Sequence, residues 1–181
     1  IKTISTTFIH YIDVFSEIAY NIFMDDKFFM KKALRQAQLA YRSGEVPVGA
    51  VIVKDGKVIA RGKNARETGK NAVLHAELSA IQKACKKLGG WRLTGCTLYV
   101  TLEPCIMCAG AVMNARIDRV VIAAADKKAG AYGGITDINA LPVNHKPQVK
   151  TGVLEEQCSE ILKDFFKQLR LKNAFNKKFK V

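Results

Sequence analysis

The chain has 181 residues, 49% apolar and 25% charged, enough to bury one core without disulfide staples, and no run of it is long and apolar enough for a membrane span. Its 29 Lys and Arg against 16 Asp and Glu leave a net charge of +13, a field that attracts polyanions. Five cysteines, two of them in a lone Cys-x-x-Cys, suit metal ligation in a reducing compartment better than a disulfide framework.

Residues 1–26 are apolar in places but broken by His10, Asp13, Glu17, Asp25 and Asp26. This is unlike a secretory leader and reads as an extension outside the core, dispensable for chemistry, with His10 uninvolved. A single domain over residues 27–181 follows. Phe29, Ala33, Ala37 and Ala40, with Leu34 between them, recur at helical spacing, and Gly44 stops that helix. Residues 48–53 form a β-branched strand, Asp55-Gly56 a hairpin turn, and residues 58–62 the returning strand. A polar loop over residues 64–71 delivers the chain to His75. Leu78, Ile81, Cys85 and Leu88 then predict a helix ended by Gly89-Gly90. A buried strand over 97–101, a helix opening at Cys105, a strand over 119–124 and a Gly-rich loop over 130–134 follow. Residues 148–151 predict a short last strand, and residues 155–172 a long amphipathic helix. The alternation after residue 90 predicts parallel neighbours, while the first two strands make an antiparallel hairpin. The expected class is α/β: three layers, α/β/α, around a mixed five-stranded sheet.

The chemistry is carried by His75-Ala76-Glu77 and Pro104-Cys105-Ile106-Met107-Cys108. One imidazole and two thiolates are three ligands for a Zn2+ ion, and a catalytic zinc keeps its fourth position for water. Cys105 and Cys108 are three apart, on one side of a first helical turn, where the helix start and a metal both favour thiolate. Glu77, two residues beyond His75, need not bind the metal. It is placed to take a proton from water made acidic by zinc and to pass it to the substrate. The combination H-x-E with P-C-x-x-C marks zinc nucleobase deaminases, so the predicted reaction is hydrolytic removal of an amino group. The competing reading is a closed structural zinc completed by His145 or Cys158. Cys85, Cys96 and Cys158 read as small buried side chains.

With these motifs in place, residues 28–172 resemble the TadA-type tRNA adenosine deaminases of the cytidine deaminase superfamily. The similarity includes the strings over residues 45–51, 75–77 and 98–111, then Arg116-Ile117, residues 126–131 and Asp164-Phe165-Phe166. It implies a cytidine-deaminase-like fold and conversion of adenosine to inosine at the wobble position of a tRNA anticodon, by a cytoplasmic homodimer. It implies one Zn2+ per chain on His75, Cys105 and Cys108, with Glu77 as proton shuttle. Asn64 matches a residue that hydrogen-bonds the flipped purine. Val46 and Leu102 match apolar walls, and Ala76 a backbone donor. Asp126 and Lys128 match a loop touching ribose and phosphates, and Phe166 an aromatic near the RNA. The chain departs from familiar members at Ala125 and at Tyr132-Gly133-Gly134.

The placement of charge independently supports a nucleic-acid partner. Lys163, Lys167, Arg170, Lys172, Lys177, Lys178 and Lys180 gather in the last helix and tail, opposed from residue 163 onward only by Asp164, as phosphate contacts require. Two other readings remain open: a deaminase of free guanine, cytosine or a nucleotide, and a non-enzymatic RNA-binding subunit of the same fold.

Overall fold

A computed structural model describes residues 25–178; residues 1–24 of the extension, and Lys180 of the tail, lie outside it. The elements in chain order are helix α1 (Asp26–Arg42), strands β1 (Gly49–Lys54) and β2 (Lys57–Lys63), helix α2 (Ala76–Leu88), strand β3 (Cys96–Leu102), helix α3 (Ile106–Asn114) and strand β4 (Arg119–Ala124). A 3-10 turn (Ile138–Ala140), strand β5 (Gln148–Lys150) and helix α4 (Glu155–Lys178) complete the chain.

The sheet runs β2-β1-β3-β4-β5. β1 is antiparallel to both β2 and β3, while β3, β4 and β5 are parallel. The hairpin closes on Asp55 and Gly56, with φ of 48° and 67°, the left-handed pair that a two-residue turn between twisted strands demands. Parallel neighbours need a crossover, and α3 supplies it between β3 and β4.

Alternate strand residues point to opposite layers, and both layers are covered. Ala50, Ile52, Leu98, Val100, Val120 and Ile122 pack with Ala80, Ile81 and Ala84 of α2 and Val112 of α3. Val51, Val53, Tyr99, Val121 and Ala123 pack with Phe29, Met30 and Ala33 of α1 and Cys158 of α4. Burial on both sides explains why β1, β3 and β4 read as near-continuous apolar runs instead of alternating ones. The three-layer α/β/α arrangement and the mixed five-stranded sheet are those expected from the sequence.

Asp26, at the boundary read between extension and domain, opens α1 and ties it to one end of the sheet. Its carboxylate accepts from both Arg119 Nη atoms (2.7 and 2.8 Å), from Lys150 Nζ (2.7 Å) and from the Tyr99 hydroxyl (3.0 Å). The Arg119 hydrogen bonds, against the opposing effect of burial, hold Asp26 well below the usual carboxylate range. Charge-assisted hydrogen bonds of this kind contribute about 2 kcal/mol, so Asp26→Asn should lower Tm by about 4–8 °C in thermal melts at neutral pH. A depressed folded-state pKa stabilises the fold at every pH above the unfolded value near ~3.9 and ceases to do so as pH falls through the folded value. The gap between wild type and Asp26→Asn therefore persists down to about pH 4 and closes only in stronger acid.

Candidate active site

Helices α2 and α3 begin without a conventional cap. Their N-cap residues are His75 (φ −78°, ψ 155°) and Cys105 (φ −70°, ψ 171°), and neither side chain caps the helix, where Ser, Thr, Asp or Asn usually does. Their carbonyls still accept the first helical bonds, from Ser79 N (3.0 Å) and Ala109 N (2.8 Å). The two side chains are thus free to turn toward each other. His75 Nδ1 lies 3.5 Å from Cys108 Sγ and 3.8 Å from Cys105 Sγ, and the three ligand atoms all fall within 4.8 Å of one another. Tetrahedral zinc with ordinary Zn–S and Zn–N bonds sets N···S edges of about 3.5 Å. The residues fit the metal. Gly62 of β2 makes the approach of α2 possible: a Cβ there would collide with the Ala76 carbonyl and the Ala80 nitrogen.

The ionisation of the cluster also calls for a cation. Hydrogen bonds from the Cys108 thiol and the His75 ring pull Cys105 down to about 3. Cys108, beside that thiolate and buried, is pushed far up, and His75 is raised by its bond to Cys105. One sulfur ionises at the other's expense, so holding both as thiolates takes a positive ion between them.

Glu77 is 3% exposed, and its Oε2 has no hydrogen-bond partner. Burial raises its pKa. A buried carboxylate oxygen without a donor is costly and gains most from a proton or a ligand.

A cavity of about 440 Å³ opens above the cluster, at the C-terminal ends of the parallel strands β3 and β4, where open α/β sheets place ligands. His75, Glu77 and Cys105 line it, together with Val46, Asn64, Ala76, Leu102, Asp126, Lys128 and Phe166. The cavity thus brings together ten of the eleven residues that the motifs and the resemblance place at the site. Cys108 alone sits beneath the floor, fully buried. His145 instead donates to the Ile117 carbonyl (2.7 Å), and Cys158 packs on the other side of the sheet. Among the described residues, only His75, Cys105 and Cys108 form a metal-ligating group, so neither His145 nor Cys158 closes the site.

A sequence profile of MafB19-like deaminases matches residues 24–170. A tRNA-specific adenosine deaminase of Bacillus subtilis (strain 168) is 48% identical over 154 residues, covering 84% of this chain and 96% of that protein. This chain belongs to the tRNA-specific adenosine deaminase family. A structure solved in a study of A-to-I editing by tRNA:A34 deaminases at the wobble position of transfer RNA superposes with a TM-score of 0.71 at 44% identity, over 75% of this chain and 99% of that one. The guanine deaminase of Bacillus subtilis is 43% identical with a TM-score of 0.55, over 61% of this chain and 71% of its own.

The deaminase cavity has further residues that sequence reasoning missed. Val48 and Leu162 extend its apolar walls, and Arg66 and Ala129 stand at its edge. Leu162 could have been found from Phe166, four residues along the same helix face, and Val48 from Val46 by extended-chain alternation. Two buried acids shape the loops. Glu103 accepts from Asp126 N (2.9 Å), Tyr132 N (2.8 Å) and Gly134 N (2.9 Å), and a Cβ at Gly130 would strike its carboxylate. Asp126 Oδ1 in turn accepts from Lys128 N (2.9 Å) and Ala129 N (3.3 Å), shaping the loop that carries Lys128. Glu45 does the same work under the 64–68 loop. The only sequence signal for either acid was a Glu set in an otherwise apolar string.

Proposed function

We propose that this protein converts adenosine to inosine at the wobble position of a tRNA anticodon by hydrolytic deamination, using one zinc ion per chain, as a cytoplasmic homodimer. The observation that carries the reading is the continuity between cavity and basic helix. Leu162 and Phe166 of α4 form a wall of the cavity, and from there the helix leaves the core with Lys163, Lys167, Arg170, Lys172 and Lys177 exposed. A base entering the cavity would leave its flanking phosphates beside this cationic face.

His75, Cys105 and Cys108 would hold the zinc, which would supply Lewis acidity to activate water near neutral pH. Glu77 takes a proton from the attacking water at its unpartnered Oε2 and gives it to the purine ring nitrogen. It then carries a second, from the hydroxyl just added to the ring carbon, to the departing amine, which leaves as ammonia. Val46, Val48, Leu102 and Leu162 enclose the base and exclude water. Asn64 offers its amide to the base edge, and Ala76, at the first turn of α2, offers an N–H that the helix itself does not use. Lys128 meets phosphate, Asp126 fixes its loop and reaches the ribose, and Phe166 stacks beside the RNA. A loop nucleotide is the natural substrate, since extruding an unpaired base costs less than opening a duplex.

The test is inosine formation in a tRNA anticodon stem-loop, measured beside ammonia release from free guanine, cytosine and nucleotides. Conversion of the stem-loop with little release from free bases supports the reading; the reverse result rejects it. The structural likeness to a guanine deaminase favours the free-base alternative, but that reading gives the exposed basic helix nothing to do. The stem-loop affinity should fall steeply with salt, by about tenfold or more between 50 and 200 mM, and a flat salt profile would remove α4 from the RNA contact.

The homodimer is supported by Ile106 and Met107, which are 56% and 37% exposed on the first turn of α3, next to Cys105. Apolar surface of this kind beside a site marks an interaction surface. Light scattering should give twice the chain mass at micromolar concentration, and Ile106→Glu should yield monomers. The five cysteines are all unpaired, as in a reducing cytoplasm, and no helix among the described residues is long and apolar enough to cross a membrane.

A further inference from the structure

Glu45 follows the stop of α1 and is completely buried (0% exposed), yet it is neither a ligand nor a lining residue of the cavity. Its Oε1 accepts from the Thr68 N–H (2.7 Å) and the Thr68 hydroxyl (2.8 Å), and its Oε2 from Glu67 N (3.3 Å) and Asn64 Nδ2 (3.3 Å). Burial alone would raise its pKa, but the Thr68 donors and the N–H groups of Glu67 and Arg66 outweigh that and hold it below the usual range. Ionised, the carboxylate can only accept. All four groups facing it donate, so it locks the 64–68 loop from below.

For three of those donors the lock only shapes the loop. For Asn64 it also decides chemistry, because an amide can sit either way round. With Nδ2 committed to Glu45, the carbonyl Oδ1 cannot also face that carboxylate. We propose that Glu45 is a positioning residue for base choice: it holds the Asn64 amide so that one acceptor, Oδ1, and one remaining N–H are turned to the cavity. An adenine edge presents an acceptor, N7, beside a donor, the exocyclic amine, whereas guanine presents two acceptors there. A face of one acceptor and one donor matches the first and not the second. In Glu45→Gln the new amide can turn its own NH2 toward Asn64. Asn64 would then reverse, its oxygen held below and its NH2 presented to the cavity as donors only.

The inference rests on the adenosine deamination proposed above, so its test has one measurement that needs no turnover. Nuclear magnetic resonance of the wild-type protein should show one Asn64 side-chain amide hydrogen protected from exchange, and that protection should vanish in Glu45→Gln. Kinetics supply the second measurement, on stem-loops carrying adenosine or 7-deazaadenosine at the target. Wild type should lose about tenfold or more in kcat/KM when N7 is removed. Glu45→Gln should fall about 10–100-fold on adenosine, since the exocyclic amine loses its acceptor, yet keep the roughly tenfold N7 effect, since the reversed NH2 still donates to N7. Thr68→Val, which removes one Glu45 bond but not the one to Asn64, should keep nearly the wild-type rate on adenosine. An unprotected Asn64 amide in the wild type would overturn the inference, even if Glu45→Gln failed to fold. So would a Glu45→Gln enzyme that has lost the N7 effect, as a loop merely loosened around Asn64 requires, or one that matches wild type on adenosine. A wild type inactive on the adenosine stem-loop would reject the proposed function and leave the amide measurement to decide this inference.

Discussion

Replacing Glu77 by Gln should leave one zinc per chain in place and lower inosine formation by about 10²–10⁴-fold, the usual worth of a positioned general acid–base. The expectation comes from the position of the side chain. Glu77 stands one helical step beyond Ala76, beside the metal-ligating cluster but outside it, so its loss need not loosen the metal. Its Oε2 is buried and unpartnered, and burial makes the carboxylate a stronger base than a surface Glu. Glutamine keeps the shape and loses the ability to carry a proton back and forth. The measurement is single-turnover inosine formation together with metal analysis of the same preparation. A variant with full metal and near wild-type rate would mean that some other group moves the proton.

The second large effect falls on the metal. Cys108→Ala should reduce zinc from one per chain to near zero in protein purified at neutral pH, and activity should go with it. Cys108 is fully buried, and among the described residues no fourth ligand joins His75, Cys105 and Cys108 to take its place. Because the site is assembled only in the folded chain, a bound ion would also stabilise the fold. Chelation should therefore lower the Tm of wild type and leave the Tm of Cys108→Ala unmoved. Cys85→Ala, remote from the cluster, serves as the control and should retain its zinc. A Cys108→Ala protein that kept both its metal and its response to chelator would show that the ion is held elsewhere.

Much of this was legible in the sequence because the informative spacings are local. The hairpin was readable from Asp55-Gly56, since few residue pairs take two left-handed conformations in succession. The metal cluster was readable because Cys105 and Cys108 fall on one helical turn, and His75 carries its own Glu two residues on. The resemblance then supplied Asn64, Asp126, Lys128 and Phe166, and the structure gathers all of them at one cavity. Glu45 and Glu103 were not readable as loop anchors. Their partners at 64–68 and at 126–134 are far along the chain, and only tertiary folding brings backbone N–H groups to them. The reach of Asp26 to Arg119 and Lys150 was hidden for the same reason. The last helix runs to Lys178, beyond the 172 read from the apolar pattern. Hydrophobic periodicity marks only the part that packs on the sheet, and residues 173–178 contain no breaker to stop the turns that project past it.

The uncapped starts of α2 and α3 have an evolutionary corollary. Serine or aspartate at either start would secure the helix by about 1 kcal/mol, and the chain carries an imidazole and a thiol there instead. Catalysis and ruggedness thus compete for the same two positions. A duplicate gene released from its editing duty could drift toward a sturdier, inert scaffold in a couple of codon changes, with its overall shape intact.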